Sequence, residues 1–162
     1  MPRTTITSNP DRIGRRPAGH LARELTAVTG RRRALVLLAD PSTGGELDRH
    51  VDGPPPGPID GDAVLALVLP SQPTVCDTAR LHEPALRRLA AQWRTERLLI
   101  APCTFGHALV GVAIVAVAPA AETPLVERAA RPLVDRFATA VVGTRLFTAP
   151  NTRDSLVFSI GA

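Results

Sequence analysis

The sequence has no lysine and no tyrosine, one tryptophan, one methionine and two cysteines in 162 residues. Each shortage closes off a class of function. Aromatic residues make up 3% of the chain, and the arginine clusters Arg12, Arg15, Arg16 and Arg31 to Arg33 are not interleaved with them. Without aromatics to stack bases, the net charge of +4 reads as a solvated basic surface, and nucleic acid is not an expected partner. Cys76 and Cys103 have no second cysteine or paired histidine at ligand spacing, which excludes the usual zinc patterns and argues against a disulfide framework. The leading residues MPRTTITSNPDRIGRRPAGH lack the apolar core of a secretory signal, so a cytoplasmic location is expected. All 19 basic side chains are arginine, which with the abundant alanine, proline and valine reads as coding bias.

Charge is also missing from residues 97 to 119, RLLIAPCTFGHALVGVAIVAVAP, after Arg97. A membrane-spanning helix needs about 20 apolar residues, and this run is long enough. Its centre, however, is Phe105-Gly106-His107, and Pro102 and Thr104 precede it. Two apolar runs around a glycine turn predict a β-hairpin and no membrane span. Both strands are apolar on both faces: Leu98 and Ile100 oppose Leu99, Ala101 and Cys103, and Val110, Val112 and Ile114 oppose Leu109, Ala113 and Val115. Central strands covered on two sides are the expected arrangement. Gly111 predicts a close approach by another element, and Pro102 predicts a bulge or a free strand edge.

The covering elements lie on either side of this run. Pro17 to Thr29 carries an apolar stripe, Leu21, Leu25 and Val28, stopped by Gly30. Arg33 to Asp40 and Glu46 to Val51 read as two strands around the loop PSTGG. The segment DGPPPGPIDGD is a stiff connection, followed by a short helix from Ala63 to Leu69 capped by Asp60 or Asp62. Pro73 to Asp77 reads as a strand and Glu83 to Trp93 as a helix. Thr123 to Phe147 is a long helix with the stripe Val126, Ala130, Leu133, Phe137, Val141, Thr144, and Pro132 is expected to kink or divide it. The fold class is α/β, more narrowly α+β: a central antiparallel sheet of about five to six strands with helices on both faces. Residues 1–16 read as a flexible leader, 17–147 as the domain and 148–162 as a tail whose SLVFSI is suited to a sheet edge.

At this point the chain resembles a GAF domain, a small-molecule sensing and regulatory module related to PAS domains. LLIAPCTFGHALVGVAIVAV is similar to the family's paired strands, with Pro102 and Gly111 on characteristic positions. VVGTRLF is similar to the end of the family's last helix and PTVCDTA to the segment before its connecting helix, with Asp77 on the acidic position. Pro132, and Gly143 where the family usually has asparagine, depart from the pattern. The resemblance implies a pocket between one sheet face and the segment from 60 to 95. The pocket candidates are Leu67, Cys76, Asp77, His82, Trp93, Leu99 and Cys103. It further implies first and last helices on the other face that pair in a homodimer, with Leu21, Leu25, Val134, Phe137 and Val141 as interface candidates, and output through a separate signalling or effector protein.

Specialised members of the family carry signatures that this chain lacks. The cyclic-nucleotide motif requires lysine, bilin attachment uses a cysteine usually followed by histidine, and free methionine-sulfoxide reduction needs cysteines near Gly61 and Ala91. His20, His50, His82 and His107 show no metal-ligand spacing, so no cofactor is expected, with His82 the one position suited to an axial haem ligand. No nucleophile turn or carboxylate pair supports catalysis. The expected function is a non-catalytic sensory or regulatory domain that binds a small molecule or signals through helix pairing. The alternatives are a ligand-free dimerisation or docking scaffold, and a thiol redox sensor using Cys76 and Cys103.

Overall fold

The computed structural model describes residues 15 to 148 apart from residue 68. Most of the expected leader, and the tail with its SLVFSI, lie outside the described residues. In chain order the elements are α1 (Arg15–Thr29), β1 (Ala34–Ala39), β2 (Glu46–Asp52), α2 (Gly61–Leu65), β3 (Thr74–Asp77), a 3₁₀ turn (Thr78–Arg80), α3 (Pro84–Trp93), β4 (Arg97–Phe105), β5 (Ala108–Ala116) and α4 (Thr123–Thr148). The five strands form one antiparallel sheet in the order β2-β1-β5-β4-β3. The charge-free run is thus the β4–β5 hairpin at the centre of the sheet, turning at Gly106, whose φ of 63° suits glycine. No helix among the described residues is long and apolar enough to cross a membrane.

The hydrophobic pattern explains why this sheet needs two covers. Every residue of β1 is buried, as are Leu98 to Cys103 of β4 and Val110 to Ala116 of β5. Successive side chains point to opposite faces, so two cores form. Val36, Leu38, Leu99, Ala101, Cys103, Ala113 and Val115 pack with α1 and α4. Leu35, Leu37, Leu98, Ile100, Val112, Ile114 and Ala116 pack with α2 and α3. The outer strand β2 has no fully buried residue.

The strict alternation expected for β5 breaks at its start. The β4–β5 register shifts between Cys103 and Thr104, and this bulge brings Val110 into the core under α1 and α4 while Leu109 packs with the other core. Pro102 sits beside the bulge, beyond the last β4 residue paired with β3, so its missing donor faces a free edge.

The last helix corrects a second expectation. It is not divided at Pro132 but runs helical through it. Pro132 and Arg128, one turn back, are both exposed, so water can serve the carbonyl that the proline leaves without a donor. The short helix after the proline loop also begins earlier than expected, because Asp60 accepts from the backbone N–H of Ala63 at 3.1 Å and caps Gly61 to Leu65.

Gly111 is the tightest point of the sheet. It pairs with Leu38 on one side and Cys103 on the other, and a Cβ there would lie 2.3 Å from the Leu37 carbonyl oxygen. Backbone, not a flexible side chain, would have to yield. Gly111→Ala is expected to lower stability by about 2–4 kcal/mol, seen as a lower denaturation midpoint at unchanged slope; a midpoint equal to that of the parent chain would contradict the close approach.

Candidate functional site

The compartment between the sheet and α2/α3 is built from one helical stripe. Leu86, Leu89, Ala90 and Trp93 recur at helical spacing on α3 and are all buried, because Pro84 starts the helix and Arg94 ends it in the left-handed conformation, φ 50°. Ile59, Val64 and Leu65 complete the cover over Leu35, Leu37, Ile100, Val112 and Ile114. Two polar ties hold this cover in place. The Gly57 backbone donates to Gln92 Oε1 at 2.8 Å, fixing the proline loop to α3. Arg49, ion-paired with Glu46, donates to the Ile59 carbonyl at 3.0 Å, and the Glu46 backbone donates to Asp62 Oδ1 at 2.6 Å.

Trp93 gives the compartment its one polar feature. The side chain is 1% exposed, and its indole Nε1–H has no acceptor among the described residues. A buried donor left unpaired costs about 1–3 kcal/mol, so a native core rarely keeps one without a reason. Apart from Cys76, the other residues of this core are aliphatic.

The expected pocket residues divide between locations. Leu67, Cys76 and Trp93 belong with the α2/α3 core. Leu99 and Cys103 do not: both lie in the core under α1 and α4, because they are odd-numbered on a strand whose even-numbered residues, Leu98 and Ile100, face α3. Asp77 is exposed at the end of β3, opposite Arg97, and His82 is exposed in the connection to α3. The interface candidates Leu21, Leu25, Val134, Phe137 and Val141 are 0–4% exposed and packed on the chain's own sheet. Their stripe is an internal face, and a second copy would meet the outward positions of the same helices.

The two cysteines are also separated. Cys76 pairs with Leu98 and packs on the α2/α3 side, whereas Cys103 pairs with Gly111 in the opposite core. The sheet lies between the sulfurs. Burial raises both thiol pKa values, most strongly for Cys103, and Glu127 and Asp77 add to the rise at Cys76. Neither thiol has the lowered pKa that a redox pair needs.

Two surface features border the ends of α1. A groove of about 340 Å³ runs along the α1/α4 seam, with Leu21, Leu133 and Phe137 beside Arg16, Arg23 and Arg136. Within it His20 meets Glu24 at 2.9 Å and Arg136 meets Glu24 at 3.6 Å. At the other end of the helices a cleft of about 490 Å³ is bordered by Arg31, Arg94 and Arg97, by the carboxylates Asp77 and Glu96, and by Val117 and Pro119. Sequence reasoning assigned Arg31 to a solvated cluster and gave Arg97 no role. Arg31 donates to the carbonyls of Trp93 and Arg94, and Arg97 donates to those of Ala118, Pro119 and Ala121 and to the Thr123 hydroxyl. The available signal for Arg31 was an α3 whose last turn supplies no basic residue. Among the described residues, no three of the His, Cys, Asp and Glu side chains gather as a metal site would require.

The buried thiol generates a pH dependence. Cys103 stays protonated in the folded chain while an unfolded thiol ionises above 9.0. The unfolded state then holds fewer protons, so stability is constant below that value and falls as pH rises through it. Denaturant melts from pH 7 to 10 are expected to show this fall, and Cys103→Ala is expected to reduce its slope; an identical slope in the variant would contradict the burial.

No family model and no curated protein matches the chain. Solved structures do. The phycoerythrobilin-bound GAF domain of a cyanobacterial phytochrome is 15% identical, with a TM-score of 0.52 over 85% of this chain and 97% of that one. The blue-light-absorbing form of the Thermosynechococcus elongatus PixJ GAF domain is 17% identical, with a TM-score of 0.55 over 91% and 94%. Residues 122 to 287 of a methyl-accepting chemotaxis protein are 20% identical, with a TM-score of 0.53 over 85% and 99%. Identities this low speak for architecture alone, and in architecture this chain has the fold of GAF domains.

Proposed function

We propose that the chain is a GAF-family regulatory domain, non-catalytic and cytoplasmic, in which the compartment under α2 and α3 takes a small molecule. The observation that carries this reading is Trp93, whose indole N–H is buried without an acceptor among the described residues, in a largely aliphatic core. A ligand with an apolar body and one oxygen or nitrogen acceptor matches that chemistry, and the indole face supplies apolar area around the donor. The GAF fold is compatible with such use, since one of the similar structures is bilin-bound. Covalent bilin attachment is not part of the proposal. Cys76 is half-buried on an edge strand with a raised pKa, which disfavours the thiolate that such attachment needs.

The α1/α4 seam favours a second role for the same chain, pairing with another copy. Its groove puts apolar floor residues beside opposite charges, Arg23 and Arg136 against Glu24, and a two-fold partner would supply the same charges in return. The response to the ligand would then pass to a separate effector protein through these helices.

Native mass spectrometry of freshly purified protein tests both roles together. The expected result is a dimer mass with a retained small molecule, lost on denaturation. Trp93→Phe keeps the ring and removes the donor, and is expected to weaken retention by about ten-fold, the value of one hydrogen bond in a dry site. A monomer with no retained mass, from cells and after incubation with lysate metabolites, would overturn the reading.

A further inference from the structure

We propose that Arg31 couples the ligand-side helix α3 to the helices of the opposite face. The C-terminal carbonyls of α3 are the negative end of a helix dipole, and the last turn of α3 has no basic residue of its own. The cation comes instead from outside the helix. Arg31 donates from Nη2 to the Trp93 carbonyl at 3.2 Å and from Nη1 to the Arg94 carbonyl at 3.3 Å. It lies two residues past the end of α1, just beyond the Gly30 stop. The guanidinium therefore ties the residue that carries the buried indole to the end of the first helix.

The tie continues to α4 through backbone contacts. The last residue of α1, Thr29, accepts from the Ala118 backbone at 2.9 Å, and a Cβ on Gly30 would touch the Ala118 methyl at 3.1 Å. Ala118 in turn accepts from Arg97 at 2.7 Å, and the same guanidinium reaches Ala121 at 2.8 Å and the Thr123 hydroxyl at 3.0 Å at the start of α4. Arg31 and Arg97 border one cleft. A shift of α3 away from the sheet, as entry of a ligand beneath Trp93 requires, pulls on Arg31 and through Thr29 on the segment that launches α4. Contiguous hydrogen bonds of this kind are a physical route for coupling between two faces of a domain. The proposal rests on the ligand reading only for what moves α3; the coupling belongs to the fold.

Site-resolved amide exchange on the full chain tests it without any ligand. Leu89→Ala opens a void under α3, with Leu89→Val as the milder variant should the first not fold. Reporters at α3 are the Arg94 and Thr95 amides, which donate to Ala91 and Ala90. Reporters at the far side are the Gly30 and Ala118 amides, which donate to Thr26 and Thr29. Relative to the centre of β5, the void is expected to speed all four by about ten-fold with Arg31 present. In an Arg31→Ala background it should still speed Arg94 and Thr95 but change Gly30 and Ala118 by less than about two-fold. Arg32→Ala, whose parent side chain points to Asp52, should leave the full response. Equal acceleration of Gly30 and Ala118 with and without Arg31, or no acceleration when α3 loosens, overturns the coupling. A failure of the chain to bind any ligand leaves this outcome readable, so the two proposals fall separately.

Discussion

Everything in this fold depends on three strands that have no wet face. β1, β5 and β4 lie side by side at the centre of the sheet, and almost all of their residues are buried. Aliphatic surface on both sides of a sheet must be removed from water twice, at about 25 cal/mol per Å² on each side. A single layer of helices cannot do this. The chain therefore sends its terminal helices, α1 and α4, to one face and the short α2 and α3 to the other.

The two covers are unequal, and the proposed function rests on the difference. The terminal helices present long continuous stripes, with Leu21, Leu25, Val134, Phe137 and Val141 seated against the sheet. The α2/α3 cover is short and held at its margins by Gln92 and Arg49. It also contains the one tryptophan of the chain with its donor unserved. A cover made of short helices and a proline loop has fewer contacts to lose on opening than one made of long helices. The ligand site we propose lies on that side. Arginine completes the arrangement, because Arg31 reaches from the end of α1 to the end of α3.

Much of this was legible in the letters. The paired apolar runs around Gly106, the turn stops and the helical stripes were enough for the sheet, its two covers and the GAF resemblance. Strand parity was legible too, but not which parity faced α3, since Leu98 and Leu99 are equally apolar. Leu99 and Cys103 were assigned to the wrong compartment for that reason. The flip of Val110 depends on a one-residue bulge that no residue type announces. The stripe on α4 is expected both on the sheet and between copies; the structure seats it on the sheet, and its letters alone do not choose, because a helix buries the same pattern against its own sheet or a partner's. The letters show that the last turn of α3 lacks a basic residue but not that Arg31 serves it, because its acceptors are main-chain carbonyls, which have no sequence signature. Pro132 is expected to kink or divide α4; the helix is not divided, and the exposure of the residue, a tertiary fact, is what makes it tolerable there.

The central claim is that an indole donor sits dry inside the α2/α3 compartment. A single tryptophan gives a single indole N–H resonance, so its surroundings are read directly by nuclear Overhauser contacts on methyl-labelled protein. The account predicts contacts from that proton or its ring to the methyls of Leu35, Leu37, Ile100, Val112 or Ile114, with no rapid exchange with water. Contacts to the methyls of Leu99 or Val115, or an exchange peak with bulk water, would contradict it.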